Sequence, residues 1–202
     1  MEVKDRLQQF TNEKTRLREK ANGDFEKAKQ AVNRNEMNIQ EYRQIVNSYC
    51  HKANEALSDI RQRRETELAN ISQQFQHQLT KTSAPDKFRD HYEKLQGAGR
   101  EAVEKHYRNS LKLNDDVSLR AAAYVALEGG YSNIVEDYMK RDPEWAETLE
   151  QRAKFQQAYT SPEAKMKASM EFCRIEPPRL KTKRVEDGFL ADGQKVFRDK
   201  II

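Results

Sequence analysis

The side chains able to do acid–base, nucleophilic or metal chemistry are scattered along this chain of 202 residues. The histidines are His51, His77, His91 and His106, and the cysteines are Cys50 and Cys173. A general base, a nucleophile or a metal centre needs such groups to converge in one cleft. Cys50 and His51 are adjacent, and neighbours on a helix point about 100° apart, so they do not share a metal ion. His91 and His106 fall on one predicted helix about four turns apart, and all four histidines read as surface or boundary residues. The two cysteines form no CxxC pair and read as free thiols in a reducing compartment. Asp115/Asp116, Glu136/Asp137 and Glu65/Glu67 read as helix caps and solvated faces. Gly97-Ala98-Gly99-Arg100 has no strand before it and reads as a helix irregularity, not a phosphate loop. The expectation is a non-enzymatic protein with no cofactor and no metal.

Binding chemistry has more to work with. Arg61, Arg63 and Arg64 are followed by Glu65 and Glu67, which points to a salt-laced helix face. Arg179, Lys181, Lys183 and Arg184 follow two prolines and are candidates for contact with nucleic acid or an acidic protein surface. Residues 174–202 carry eight cationic and five anionic side chains, a weak electrostatic footprint for nucleic acid. Residues 117–141 read as two short helices around a glycine turn, a helix-turn-helix in outline. The second helix offers Asn133, Glu136, Asp137, Lys140 and Arg141. Its acids would repel phosphates, so an ordinary helix pair is expected.

The elements that must position these groups follow from composition and period. Charged residues make up 35% of the chain and apolar residues 36%, with 7 Gly and 5 Pro. That mix is poor for an all-β or α/β enzyme and typical of long exposed helices. No run of 18 apolar residues exists, so no membrane span is expected. No basic segment followed by an apolar core opens the chain, so no secretory leader is expected.

Over residues 1–80 apolar side chains recur at steps of three and four, from Val3, Leu7 and Phe10 to Phe75 and Leu79, a narrow stripe close to a coiled-coil seam. Lys14, Asn35 and Arg64 interrupt it, and polar seam positions can fix register or partner number. Asn22-Gly23-Asp24 is the strongest local breaker and Asn33-Arg34-Asn35 a second weak spot. The period predicts a long helix over 36–81 with a shorter one before it, either extended as one rod or folded back.

Beyond the joint at Thr80–Pro85, Ser83 is the expected cap of a helix to about 112 that Gly97 and Gly99 kink or break. Asn114-Asp115-Asp116 caps a helix near 117–128, and Ser132 one that ends near 141. Asp142-Pro143-Glu144 and Ser161-Pro162-Glu163 are strong start signals for two more. After Pro177-Pro178, Val185, Phe189, Leu190, Val196, Phe197, Ile201 and Ile202 surround the turn signals Asp187-Gly188 and Asp192-Gly193. This tail is expected as a small hairpin or an extended arm, docked on its own chain or on a neighbour.

The fold class is therefore all-α: long N-terminal coiled-coil helices, a compact helical bundle and an extended tail. The expected domains are 1–82, 83–174 and 175–202. A straight rod cannot bury its stripe alone, so the expected role is a structural or assembly protein that homo-oligomerises or pairs with another helical protein. Val46, Tyr49, Leu57, Ile60, Leu68 and Ile71 are its expected interface. An assembly component of the phage or mobile-element kind, cytoplasmic or within a virion, fits this length and charge. The alternative is a helical regulator or inhibitor acting on nucleic acid or a nucleic-acid enzyme.

Overall fold

The computed structural model describes residues 3–189 and 195–201. Among them the helices are α1 (Val3–Asn33), α2 (Ile39–Thr80), α3 (Pro85–Leu95), α4 (Arg100–Leu113), α5 (Asp116–Glu128), α6 (Ser132–Arg141), α7 (Pro143–Phe155) and α8 (Pro162–Glu171). A single π-helical turn, Gln156–Thr160, follows α7, and two strands, β1 (Thr182–Phe189) and β2 (Lys195–Ile201), close the chain. The all-α class holds, with this antiparallel strand pair added. Leu190, Asp192-Gly193 and Ile202 lie outside the described residues.

The described residues form two compact units: those of 1–67 with 166–202, and 68–165. The division does not follow the boundaries expected after residues 82 and 174. The last turns of α2 belong to the bundle, because Leu79 is buried in its core. The tail belongs with the N-terminal helices, to which it is hydrogen-bonded.

In the first unit α1 and the first part of α2 form an antiparallel hairpin. Gly23 does not break α1. It sits on the exposed face, and the stripe runs past it through Ala21, Phe25 and Ala28. The break falls at the second weak spot. Asn35 adopts a left-handed conformation (φ 62°), and the Glu36 N–H donates to the Ala31 carbonyl at 2.9 Å, which closes a Schellman turn. Asn38 and Glu41 then form a capping box. The Glu41 N–H donates to Asn38 Oδ1 and the Asn38 N–H to Glu41 Oε2, each at 2.9 Å;. Arg6 pairs with Glu67, and Arg63 with Glu13 at 2.6 Å and Asp59 at 2.9 Å, which sets the register of the two helices.

The tail packs along this hairpin through two asparagine clamps. Asn54 accepts the Ile175 N–H at 2.8 Å and donates to its carbonyl at 2.9 Å. Asn33 does the same for Ile201, both at 3.1 Å. Each side-chain amide thus satisfies a backbone donor and acceptor that burial would otherwise orphan. Arg18 adds a bond to the Cys173 carbonyl at 2.6 Å. Phe172 is buried beneath two cations, Lys14 at 5.4 Å and Arg64 at 5.9 Å from the ring centre;.

In the second unit α5 is buried almost all round and packs against α3, α4 and α6. The expected helix to 112 is two helices, because Gly97 takes a left-handed conformation (φ 77°) that only glycine adopts without strain;. Ser83 is not the cap of α3. The residue before Pro85 is forced out of the helical region, so Ala84 takes the cap position, with φ −134° and no side-chain bond. Ser132 likewise lies inside α6, whose cap position is Tyr131. The caps expected from Asp115, Asp142 and Ser161 are present, accepting the N–H groups of Ser118, Trp145 and Ala164.

The end of α2 is closed by two side chains. Trp145 is buried and donates from its indole to the Leu79 carbonyl at 3.1 Å. Arg120 donates to the Lys81 carbonyl, to Asp142 and, at 3.1 Å, to the Tyr138 hydroxyl. One guanidinium therefore ties the end of α2 to α5, α6 and the start of α7. Removing it leaves a partly buried carboxylate without its cation and the Lys81 carbonyl without this donor;. Arg120→Ala is expected to destabilise the bundle by about 3–5 kcal/mol in urea denaturation, and Arg120→Lys to restore little, because an ammonium cannot span three acceptors in the same plane. Asn54→Ala is expected to leave helix content unchanged while proteolysis at Arg174 becomes faster.

Candidate functional site

The residues expected at an oligomer seam are accounted for within one chain. Val46 is 2% exposed, and Leu57, Ile60 and Ile71 are also buried, with Tyr49 and Leu68 half-buried. For Val46, Tyr49, Leu57 and Ile60 the physical reason is the turn after α1, which returns the chain so that the α1 face of Leu7, Phe10, Ala21, Phe25, Ala28 and Val32 is buried within the same unit, whereas Leu68 and Ile71 belong to the second unit. The seam is thus a core.

The basic tail residues do not converge. Arg179 and Lys181 lie on the extended segment before β1, and Lys183 and Arg184 lie on β1 opposite Lys200 and Asp199. All four are exposed. Close to them in sequence, α8 buries none of its residues and exposes Met166 and Met170, 65% and 70% accessible. Lys165 and Lys167 flank Met166.

Three of the polar residues on the second helix of the pair over 117–141 are bonded within the bundle. Asn133 accepts from Arg100 at 3.2 Å, and Asp137 accepts from the Tyr107 hydroxyl at 2.8 Å and from Arg141 at 3.3 Å. The Tyr107 bond and the Arg141 cation hold the Asp137 carboxyl below the usual carboxylate range. Asn133, Asp137 and Arg141 are thereby committed within the bundle.

Sequence reasoning missed one cluster. The break between α3 and α4 brings the rings of His91 and His106 to 5.3 Å. His106 Nε2 lies 2.7 Å from Ser118 Oγ, which lies 2.7 Å from Ser110 Oγ. One assignment of the hydrogens satisfies all three oxygen acceptors of this relay. Ser110 donates to the His106 carbonyl at 3.0 Å, so Ser118 donates to Ser110, and His106 donates to Ser118 through a protonated Nε2. A histidine in that tautomer is no base toward Ser118, and both serines are buried. The arrangement therefore lacks the polarity a nucleophile–base pair requires. His91 Nδ1 is buried without a hydrogen-bond partner, and its Nε2 lies 4.0 Å from Asp115. Only the turn at Gly97 signals this cluster in the sequence.

A concave surface of about 850 Å³ lies beside the Arg120 node. Lys81, Arg120 and Arg141 line it together with Asp116, Asp142 and Glu144, so its charges balance. Its Arg120–Asp142 pair already holds the helices together. Among the described residues no three His, Cys, Asp or Glu side chains gather as metal ligands, and no helix is long and apolar enough to cross a membrane. Comparison with protein-family models, curated proteins and solved structures finds no match.

Burial and the neighbouring His91 push the His106 pKa below its usual 6.5, Lys94 adds to the shift and Asp115 opposes it. The unfolded chain then binds a proton at higher pH than the folded one, so stability falls as pH drops through the ordinary histidine range. Urea denaturation at about pH 7.5 and about pH 5.5 is expected to show this loss. His106→Gln, which keeps a donor toward Ser118, is expected to reduce the difference.

Proposed function

We propose that this chain is a non-enzymatic helical interaction protein that works as a single folded chain and binds an acidic, partly apolar surface of another protein. The observation that carries this reading is the closed seam: Val46, Leu57 and Ile60 are buried without a second chain. An oligomer would have to form through some other surface. Among the described residues the large apolar side chains left outward are Leu113 and, on α8, Met166 and Met170, with Lys165 and Lys167 on either side of Met166 in sequence. Methionine adapts to varied apolar partners, exposed apolar residues beside charge mark interaction sites, and the lysines on the same helix select anionic ones.

Light-scattering mass on a sizing column tests the reading. The expected result is the mass of one chain, 23.7 kDa. Val46→Asp is expected to lower helix content at unchanged mass, since it places an unpaired charge in a monomer's core. A wild-type oligomer that Val46→Asp dissociates into folded chains would overturn the reading in favour of assembly through the seam. Salt-sensitive binding to a DNA duplex, lost on neutralising Arg179, Lys181 and Lys183, would turn it toward nucleic acid.

A further inference from the structure

The two flanks of the α1–α2 hairpin are treated differently. On a helix of about 100° per residue, Arg18 lies on one side of the α1 stripe, and Leu17, Lys20 and Asp24 lie on the other. On α2 the same division separates Asn54 from Tyr49, Lys52 and Ala56. The Arg18 and Asn54 flank is covered by the segment Phe172–Ile175, through the bonds to Cys173 and Ile175. The other flank is an open groove of about 350 Å³ along two turns of each helix. Its floor is Leu17, Ala21, Tyr49, Ala53 and Ala56. Leu17, Tyr49 and Ala56 are half-buried, and Lys20 and Lys52, one on each rim, are exposed.

We infer that this groove is the seat of a partner's amphipathic helix whose apolar stripe is edged on both sides by carboxylates. The inference rests on the reading of the chain as an interaction protein and names the chemistry of one partner element. Three observations support that occupant. Alanines at Ala21, Ala53 and Ala56 lower the floor, and small side chains let helix axes approach at the short end of the usual 8–10 Å. A helix laid there converts the hairpin into a three-helix layer and covers apolar atoms that one chain leaves half wet. Lys20 and Lys52 stand where the flanking positions of that third helix fall, and Asp24, the acid on the rim, has Lys27 at 4.0 Å. Carboxylates on both edges of the incoming helix therefore meet a cation on each side, whereas lysines there meet repulsion.

The probe is a capped peptide of about three heptads with Leu at a and d and Glu at e and g, whose own carboxylates keep it from pairing with itself. Its partner probe carries Lys at e and g. Binding is read by fluorescence anisotropy on the full chain. The Glu-edged peptide is expected to bind and the Lys-edged peptide to fail. Lys20→Glu with Lys52→Glu, both at solvent-exposed positions, is expected to weaken the first about tenfold or more and to admit the second, with circular dichroism unchanged. Ala56→Phe, which raises the floor without moving charge, is expected to weaken both. Failure of the Glu-edged peptide to bind, or equal binding after charge reversal, overturns the groove proposal and leaves the monomeric mass behind the broader reading untouched. A wild-type dimer that charge reversal dissociates overturns it in favour of a second copy as occupant.

Discussion

A helix of 42 residues with one apolar stripe has to cover that stripe, and the way α2 does so governs the first unit. Burying a Val, Leu, Ile or Phe side chain contributes roughly 1.5–3 kcal/mol, and in proteins most helical stability comes from packing such a face rather than from propensity. α1 supplies the cover for the part of α2 that lies in this unit, and the connection is local. A left-handed Asn35, a Schellman turn and the Asn38/Glu41 box satisfy the helix ends within a few residues, so the turn is specified by local contacts. The ion pairs along the hairpin edge are exposed and individually weak. Their part is register, since Arg6–Glu67 and Glu13–Arg63 permit only one sliding position of the two helices.

The polar residues that interrupt the stripe serve two places, the hairpin turn and the entry of the tail. Asn35 makes the turn. Lys14 and Arg64 lie over Phe172, so the interruption is where the tail enters. Had both been leucine, the stripe would be continuous and the tail would lose its cation–π contacts. The second unit depends on a related device. α2 ends with carbonyls that no further turn can satisfy, and Trp145 and Arg120 reach them from α7 and α5. Both units thus satisfy backbone groups at apolar boundaries with side chains that reach in from another element.

Much of this was legible in the sequence. The stripe, the starts at Asp142-Pro143 and Ser161-Pro162, the Asp115 cap and the weak spot at 33–35 are all local signals, and all appear. Periodicity shows that a stripe needs a cover without showing which chain supplies it, so the seam read as an interface between copies. Gly23 looked the stronger breaker, but an exposed glycine costs only about 1 kcal/mol and the continuing stripe overrides it. The His91–His106 contact was hidden because one helix through Gly97 would hold the rings about four turns apart, and a left-handed φ at one residue reverses that. The asparagine clamps at Asn33 and Asn54 carry no sequence signal, since a side-chain amide that mimics a strand edge looks like any polar helix residue.

The central claim is that α1 covers α2 within one chain, and a distance tests it most directly. Spin labels at Gln9 and Gln62, both exposed, in a chain carrying Cys50→Ala and Cys173→Ser, would report it by pulsed dipolar spectroscopy. The account predicts a short distance across the hairpin that survives dilution with unlabelled chain. A separation of about 80 Å, the length of a continuous helix between these positions, or a short distance that disappears on dilution, would contradict it.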